Sequence, residues 1–340
     1  MANPTAPLES PRLRLNLVSP DIPPEIILKI IQYLPFHNGK EILRLQHVHP
    51  RLRDLLRNYE RSLTRTFMMQ ELPHASTDFP CCAKFGYRCL AECVRRYDLV
   101  DDIMDALSSR QNCYAAEEHN VPLLNTGLLL IYRIASLEDH DARLTFIKSL
   151  SRDPLTAMYL TLHNSTLTAR YHGSGWMHQR TYGRFMDANQ ISLRNELEFC
   201  FAEAALTLGP DFISDLLLRP TKPGAEATFL NFYHDHGTHD WEWPGWGEGK
   251  GEFNPPRTQG PKKQDGSMGR SLFTTLLERL AECSECSVDE VRRRIEEETN
   301  DPEHHLSELS LYGKARLMSG RNWAWAEEEQ QKERRDSVHS

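Results

Sequence analysis

The chain has 340 residues, 39% hydrophobic and 26% charged, with 48 acidic against 40 basic side chains and a formal charge of −8. That length accommodates about two domains with a sizeable core, the composition is that of a soluble globular protein, and the acidic balance argues against general nucleic-acid binding. No apolar run approaches the roughly 20 residues of a membrane-spanning helix, and with no positively charged leader ahead of an apolar run the eight cysteines are expected in a reducing compartment, cytoplasmic or nuclear.

Residues 1–20, rich in Pro, Ser and Asn, are expected to form a disordered leader. Two Ser-Pro pairs lie in it, at Ser10 and Ser19; a phosphate on Ser19 would put roughly −1.5 to −2 charge beside the next segment, with unmodified linker as the plainer alternative. From Pro24 to Leu34 the residues Ile26, Ile27, Leu28, Ile30, Ile31, Tyr33 and Leu34 are apolar or aromatic, and Glu25, Lys29 and Gln32 are polar. Those three, at i, i+4 and i+7, share one narrow stripe of a helix. The rest of its circumference is apolar and has to be covered on more than one side.

Pro23 and Pro24 suit the first turn of that helix, Pro35 ends it, and His37, Asn38 and Gly39 form a polar turn. Ile42, Leu43 and Leu45 offer a second short helix. Pro50 opens a third, with Leu52, Leu55 and Leu56 inward and Arg51, Arg53 and Arg57 outward. Three helices in so few residues bury too little to stand alone, since chains below about 40 residues usually need a metal, disulfides or a partner. A partner is the simplest remedy.

In this order the residues resemble the F-box. That family's pattern is a Leu-Pro opening, an acidic residue, apolar positions at helical spacing, Leu-Pro, Leu-Leu-x-Leu, a Val followed by Cys and basic residues, and a closing Leu. Here the opening is Ile22-Pro23-Pro24-Glu25-Ile26-Ile27, the Leu-Pro is Leu34-Pro35, and the middle is Ile42-Leu43-Arg44-Leu45. The end is Val48-His49-Pro50-Arg51-Leu52-Arg53-Asp54-Leu55. Ile22 replaces the usual Leu, and His49-Pro50 stands where Cys and a basic residue are common. The resemblance implies an F-box domain at 21–57 that docks onto a Skp-type adaptor, which bridges to a cullin-RING ubiquitin ligase. It implies Ile22, Pro23, Ile26, Ile27, Ile30, Leu34, Leu43, Leu45, Val48 and Leu52 as F-box core and adaptor interface, without separating inward from partner-facing positions. The same stretch also reads as a helical hairpin in the core of a larger domain.

Asn58 to Leu72 continues as helix toward a Pro-containing connection at His74 to Pro80. Arg51, Arg53, Arg57, Arg61 and Arg65 make this region basic, either as a solvated helix face or as a field favouring an acidic partner. Helical patterns then follow at Tyr87, Leu90, Val94 and Tyr97, and at Leu99, Ile103 and Leu107. A long apolar helix opens at Asn120-Val121-Pro122 and runs through Leu137, another opens at Asp153-Pro154, and Gly209-Pro210 separates Ile191 to Leu208 from Phe212 to Leu218. Alternating strand-like runs are absent.

The fold is therefore expected to be all-α: an N-terminal three-helix module, an irregular multi-helix body at 58–233, a long flexible Gly/Pro/Trp-rich loop at 234–270, a helical continuation at 271–319 and a charged tail at 320–340. No leucine-rich, WD or kelch period appears, and the body resembles the unclassified helical regions of fungal F-box proteins, a likeness that identifies no ligand. Trp241, Trp243 and Trp246 in the loop are candidates for target binding, or else pack back to hold the loop on the body. Leu272, Leu276, Leu277 and Leu280 resume a helix, and Ser287 with Glu290 has the spacing of a capping box opening Val288 to Glu297. Arg334-Arg335-Asp336-Ser337 resembles a basophilic-kinase site.

Little argues for bond chemistry. Cys81, Cys82, Cys89 and Cys93 cluster in sequence and Cys283-Ser284-Glu285-Cys286 is a lone pair, whereas structural zinc normally takes two closely spaced pairs. Cys89 and Cys93, at i and i+4 among Tyr87, Leu90 and Val94, read as buried thiols. His234, His236, His239 and Asp240 could grip a metal, in a stretch read as loop. Phosphate-loop, zincin, nucleophile-elbow and dinucleotide motifs are absent. The reading is a substrate-recruiting F-box subunit with no catalytic residue and no cofactor, whose partners are a Skp-type adaptor, through it a cullin, and an unknown target protein. The alternatives are a scaffold that keeps the adaptor without the ligase, and an enzyme whose site assembles from distant positions.

Overall fold

Fourteen α-helices and one 3-10 turn, with no strand, make up the described residues of the computed structural model: Ser19, 21–36, 39–80, 86–172, 191–218 and 270–323, the side chains of 191–196 excepted. The all-α expectation holds. The chain forms two compact units, the first made of the residues up to Ala75 with 82–95, the second of 76–81 and everything from Arg96.

The first unit contains helices α1 (Pro24–Gln32), α2 (Lys40–Val48), α3 (Pro50–Asn58) and α4 (Glu60–Glu71). After the short α5 (Ala75–Asp78), α6 (Tyr87–Ser108) begins in the first unit and continues into the second. His49 separates α2 from α3 in extended backbone (φ −154°, ψ 140°), and its Nδ1 accepts the Arg51 N–H at 3.1 Å. Pro50 follows at the first helical position, where its missing N–H costs nothing. The departure from the family pattern at His49-Pro50 is thus a helix start. α1 packs on α3 and α4, and α2 packs on α3.

Ile27, Ile31, Phe36, Ile42, Leu52, Leu56, Leu63 and Phe67 form the core of this unit, with the Phe36 and Phe67 rings 5.5 Å apart. Glu71 on α4 accepts the Phe36 N–H at 3.2 Å. Glu60 accepts the Tyr87 N–H at 2.8 Å, and the Tyr87 hydroxyl donates to the Leu56 carbonyl at 3.0 Å. The inward–outward assignments of three residues, Leu55, Arg51 and Arg53, are corrected here. Leu55 is only half-buried, and of the three arginines expected outward only Arg57 is exposed. Arg51 donates to the backbone carbonyls of Ser19 and Ile22, and Arg53 Nε donates to the Gln46 carbonyl at 3.2 Å, because carbonyls left open at chain bends attract guanidinium donors.

The second unit is organised on α7 (Val121–Ala135) and α9 (Arg152–Tyr171), which lie along each other; α8 (His140–Ser149) comes between them in sequence. α10 (Ile191–Leu208), α11 (Pro210–Leu218), α12 (Leu272–Ser284) and α14 (Leu311–Met318) pack onto α7, α9 or both, and α13 (Val288–Thr299) packs on α12. Gly209, at φ 86°, ends α10 in the left-handed region that favours glycine, and Pro210 starts α11. The capping box at Ser287 and Glu290 forms with both halves present. α7 stops at Ala135, two residues short of the expected Leu137, as Leu137 N–H turns to the Ile134 carbonyl and Arg143 Nε caps the Leu137 carbonyl at 2.8 Å.

Buried polar groups join segments far apart in sequence. Glu203 on α10 accepts the Ser271 hydroxyl (2.8 Å) and the N–H groups of Leu272 (3.0 Å) and Phe273 (2.8 Å), an anion set at the start of α12. Burial pushes its carboxyl above the usual range, and those hydrogen bonds oppose the shift. Ser151 N–H donates to the Gly320 carbonyl at 3.1 Å, Asp153 N–H to Asn322 Oδ1 at 2.9 Å, and Trp323 N–H to Asp153 Oδ2 at 2.7 Å. Anchoring on α9 thus continues past the expected start of the tail.

His163 on α9 places Nε2 3.0 Å from Glu296 Oε1 of α13, and burial, with Arg292 beside it, pulls its pKa from 6.5 to about 4. A value depressed in the folded state means that the native form binds fewer protons. The stability tied to the neutral ring is complete above pH 6.5 and is lost as pH falls through 6.5 toward 4. In urea unfolding across that range, His163→Gln is expected to lose less stability than the parent; parallel pH profiles would show that the ring is not the titrating group.

Candidate functional site

The circumference of α1 divides into three stripes. Glu25, Lys29 and Gln32 form the polar one, as their spacing requires. Ile27 and Ile31, each 3% exposed, form the stripe that fills the core. Between these runs a third stripe of Ile26 (50% exposed), Ile30 (40%) and Leu34 (36%), joined by Tyr33 at the helix end. Large apolar side chains at i and i+4 of α1, with Leu34 just past its end, are therefore presented to water beside the stripe that fills the core. α2, held on the same α3, leaves Leu43 and Val48 exposed as well.

The geometry separates the ten residues named from sequence. Ile27 and Leu52 are buried and act in the core, Ile22 and Leu45 are half-buried, and Pro23, Ile26, Ile30, Leu34, Leu43 and Val48 are exposed. Tyr33 was missed as a member of the outer stripe, although its i+7 spacing from Ile26 places it there. Phe36 was missed as core; it follows the helix-ending Pro35 and falls outside any periodic pattern.

The approach to α1 is tied down. Arg51 bonds the Ser19 and Ile22 carbonyls, the second at 2.5 Å, and the Ser19 hydroxyl donates to Asp21 Oδ2 at 2.8 Å. A group added to that hydroxyl would meet the Asp21 carboxylate.

Trp241, Trp243, Trp246, the histidines at 234, 236 and 239, Cys81, Cys82 and the Arg334–Ser337 motif lie outside the described residues. Cys93 is buried and Cys89 half-buried on one helix face, and Cys283 and Cys286 are half-buried free thiols. Among the described residues no group of three or more His, Cys, Asp or Glu side chains could hold a metal ion, and no helix is long and apolar enough to cross a membrane. No family model, curated protein or solved structure matches the chain.

Proposed function

We propose that the chain is a substrate-recruiting F-box subunit of a Skp-cullin ubiquitin ligase, working in the cytoplasm or nucleus. The exposed stripe of α1, with Leu43 and Val48 of α2, docks the Skp-type adaptor, and the second unit holds a target protein with the help of Trp241, Trp243 and Trp246. The observation that carries this reading is the double apolar character of α1, one stripe used by its own unit and the other left to solvent, in a residue order that resembles the F-box. Full burial of one such side chain contributes about 1.5–3 kcal/mol, so a partner covering several half-exposed ones gains a favourable term of several kcal/mol to set against the cost of association. In this role the chain makes and breaks no bond; it raises the effective concentration of the target near the charged ubiquitin carrier.

Co-purification tests it: a Skp-type adaptor and a cullin should both be recovered with the full chain. Adaptor without cullin indicates a scaffold instead, and recovery of neither rejects docking. Ser19→Glu sets a carboxylate against Asp21 at the base of α1 and is expected to weaken adaptor binding about two- to fivefold. Equal affinity in parent and variant removes any role for phosphate at this position.

A further inference from the structure

Arginines on the helix surfaces of this protein commonly have a carboxylate of the same helix as partner: Arg44 has Glu41, Arg95 has Glu92, Arg279 has Glu282, and Arg292, Arg293 and Arg294 have Glu296, Glu297 and Glu298. Arg57, Arg61 and Arg65 depart from this habit. All three are exposed, and none of their guanidinium groups has a hydrogen bond or ion pair among the described residues. The cause lies in what the nearby carboxylates do. α3 and α4 contain three: Asp54, Glu60 and Glu71. Glu60 is three residues from Arg57, at pairing distance along a helix, yet it turns inward to the Tyr87 N–H; Glu71 turns to the Phe36 N–H. Asp54 is exposed and pairs with none of the three arginines.

Arg61, Arg65 and Met69 stand at i, i+4 and i+8 of α4, so they form one line opposite the buried Leu63 and Phe67. Arg57 stands four residues before Arg61 at the end of α3, across a break at Tyr59 (φ −106°, ψ 15°) that Tyr59 N–H to the Leu55 carbonyl and Leu63 N–H to the Tyr59 carbonyl, both 3.0 Å, span. Like charges one turn apart destabilise the helix that carries them. An anionic partner relieves that repulsion. Residues 21–75 hold eight basic and six acidic side chains, in a chain that is acidic as a whole.

We propose that this strip is a second docking surface, and that it takes an acidic protein segment, with carboxylates at one-turn spacing against Arg57, Arg61 and Arg65 and an apolar side chain on the exposed Met69. A nucleic acid fits less well, because it meets a chain of charge −8 and has no use for a thioether at the end of the strip. The surface is chemically distinct from the outer stripe of α1, which is apolar, so it stands or falls independently of adaptor docking.

The test uses the full chain and a fluorescein-labelled peptide of about twelve residues, with Glu at three positions four apart and Leu at the next, beside the same peptide with Gln for Glu and an oligothymidylate of equal length. The Glu peptide should bind the parent, and Arg57→Gln/Arg61→Gln/Arg65→Gln should bind it at least about tenfold more weakly, a difference that shrinks with added salt. Met69→Gln should weaken binding by a smaller factor that salt leaves unchanged. All four positions are exposed, so unaltered melting curves establish that the variants are folded. Failure of the Glu peptide to bind, equal binding by the triple variant or by the Gln peptide, or tighter binding of the oligothymidylate overturns the proposal.

Discussion

Ile26→Asp combined with Ile30→Asp is expected to abolish adaptor co-purification while the chain stays folded, whereas Ile27→Asp, one residue along, is expected to unfold the first unit. The difference lies in the faces of α1. Ile26 and Ile30 are 50% and 40% exposed, so a carboxylate there remains hydrated in the free protein and costs the half-buried apolar area and a modest helix-propensity difference, about 1–2 kcal/mol per site. Once a partner covers the stripe, the same carboxylates lose their water without gaining a hydrogen bond, which costs about 2 kcal/mol or more each and together weakens docking by about a thousandfold or more. Ile27 is 3% exposed, and a charge in its place is desolvated in the folded chain itself, at a cost comparable with the roughly 5–15 kcal/mol that holds a domain together. Urea unfolding beside adaptor pull-down separates the two cases. Adaptor retained by the exposed-stripe variant, or a parent-like unfolding midpoint for Ile27→Asp, would sink the assignment of stripes. Point variants are also a better probe than removal of 21–56, since that deletion takes Phe36, Ile42, Leu52 and Leu56 away from Leu63 and Phe67 and so destroys the core along with the exposed stripe.

Local signals located the helices well. Prolines at first turns, Gly209 before Pro210, the Ser287–Glu290 box and the spacing of apolar residues each act within one or two turns, and the structure follows them closely. Spacing also showed that α1 has more apolar surface than one neighbour can cover. It could not show which stripe is covered, because that depends on where α3 and α4 lie, and helix periodicity is silent about a helix's neighbours. Arg51 illustrates the same limit: an arginine at the start of a short helix reads as solvated, and only the placement of the Ser19 and Ile22 carbonyls beside α3 gives it acceptors to hold. Glu203 lies 69 residues before Leu272, and Asp153 lies 170 before Trp323, so neither contact leaves a trace in any sequence window. The second unit's target-binding candidates, Trp241, Trp243 and Trp246, fall outside the described residues, which leaves the first unit's surfaces as the legible part of function.

Gly127→Ala is expected to destabilise the second unit by about 2–4 kcal/mol, and Gly127→Leu to prevent its folding. Two opposing effects meet at this position. Alanine is the better helix former by about 1 kcal/mol, so in an isolated α7 the change would stabilise. In the folded chain, however, a Cβ at residue 127 would come inside 3.0 Å of Thr161 Oγ1 and of the Ala157 carbonyl on α9. Real Cβ atoms essentially never sit that close, and the obstacle is backbone, which cannot swing aside as a side chain can. The Thr161 hydroxyl lies 3.0 Å from the Leu124 carbonyl and 2.8 Å from that of Ala157, so it fills the crossing that the missing Cβ leaves open. Making room would force α7 and α9 apart along faces that bury Leu124, Leu128 and Ile131 on one helix and Met158 and Leu162 on the other. Each methylene left poorly packed there forfeits dispersion and transfer energy. The clash therefore outweighs the propensity gain. All six tryptophans of the chain lie beyond residue 170, and Trp323, whose backbone N–H donates to Asp153 Oδ2 of α9, ties tryptophan fluorescence during urea unfolding to the second unit. An unfolding midpoint for Gly127→Ala at or above the parent's would mean that α7 and α9 do not meet as closely as the Thr161 contacts require, and the packing of the whole body around that crossing would have to be redrawn.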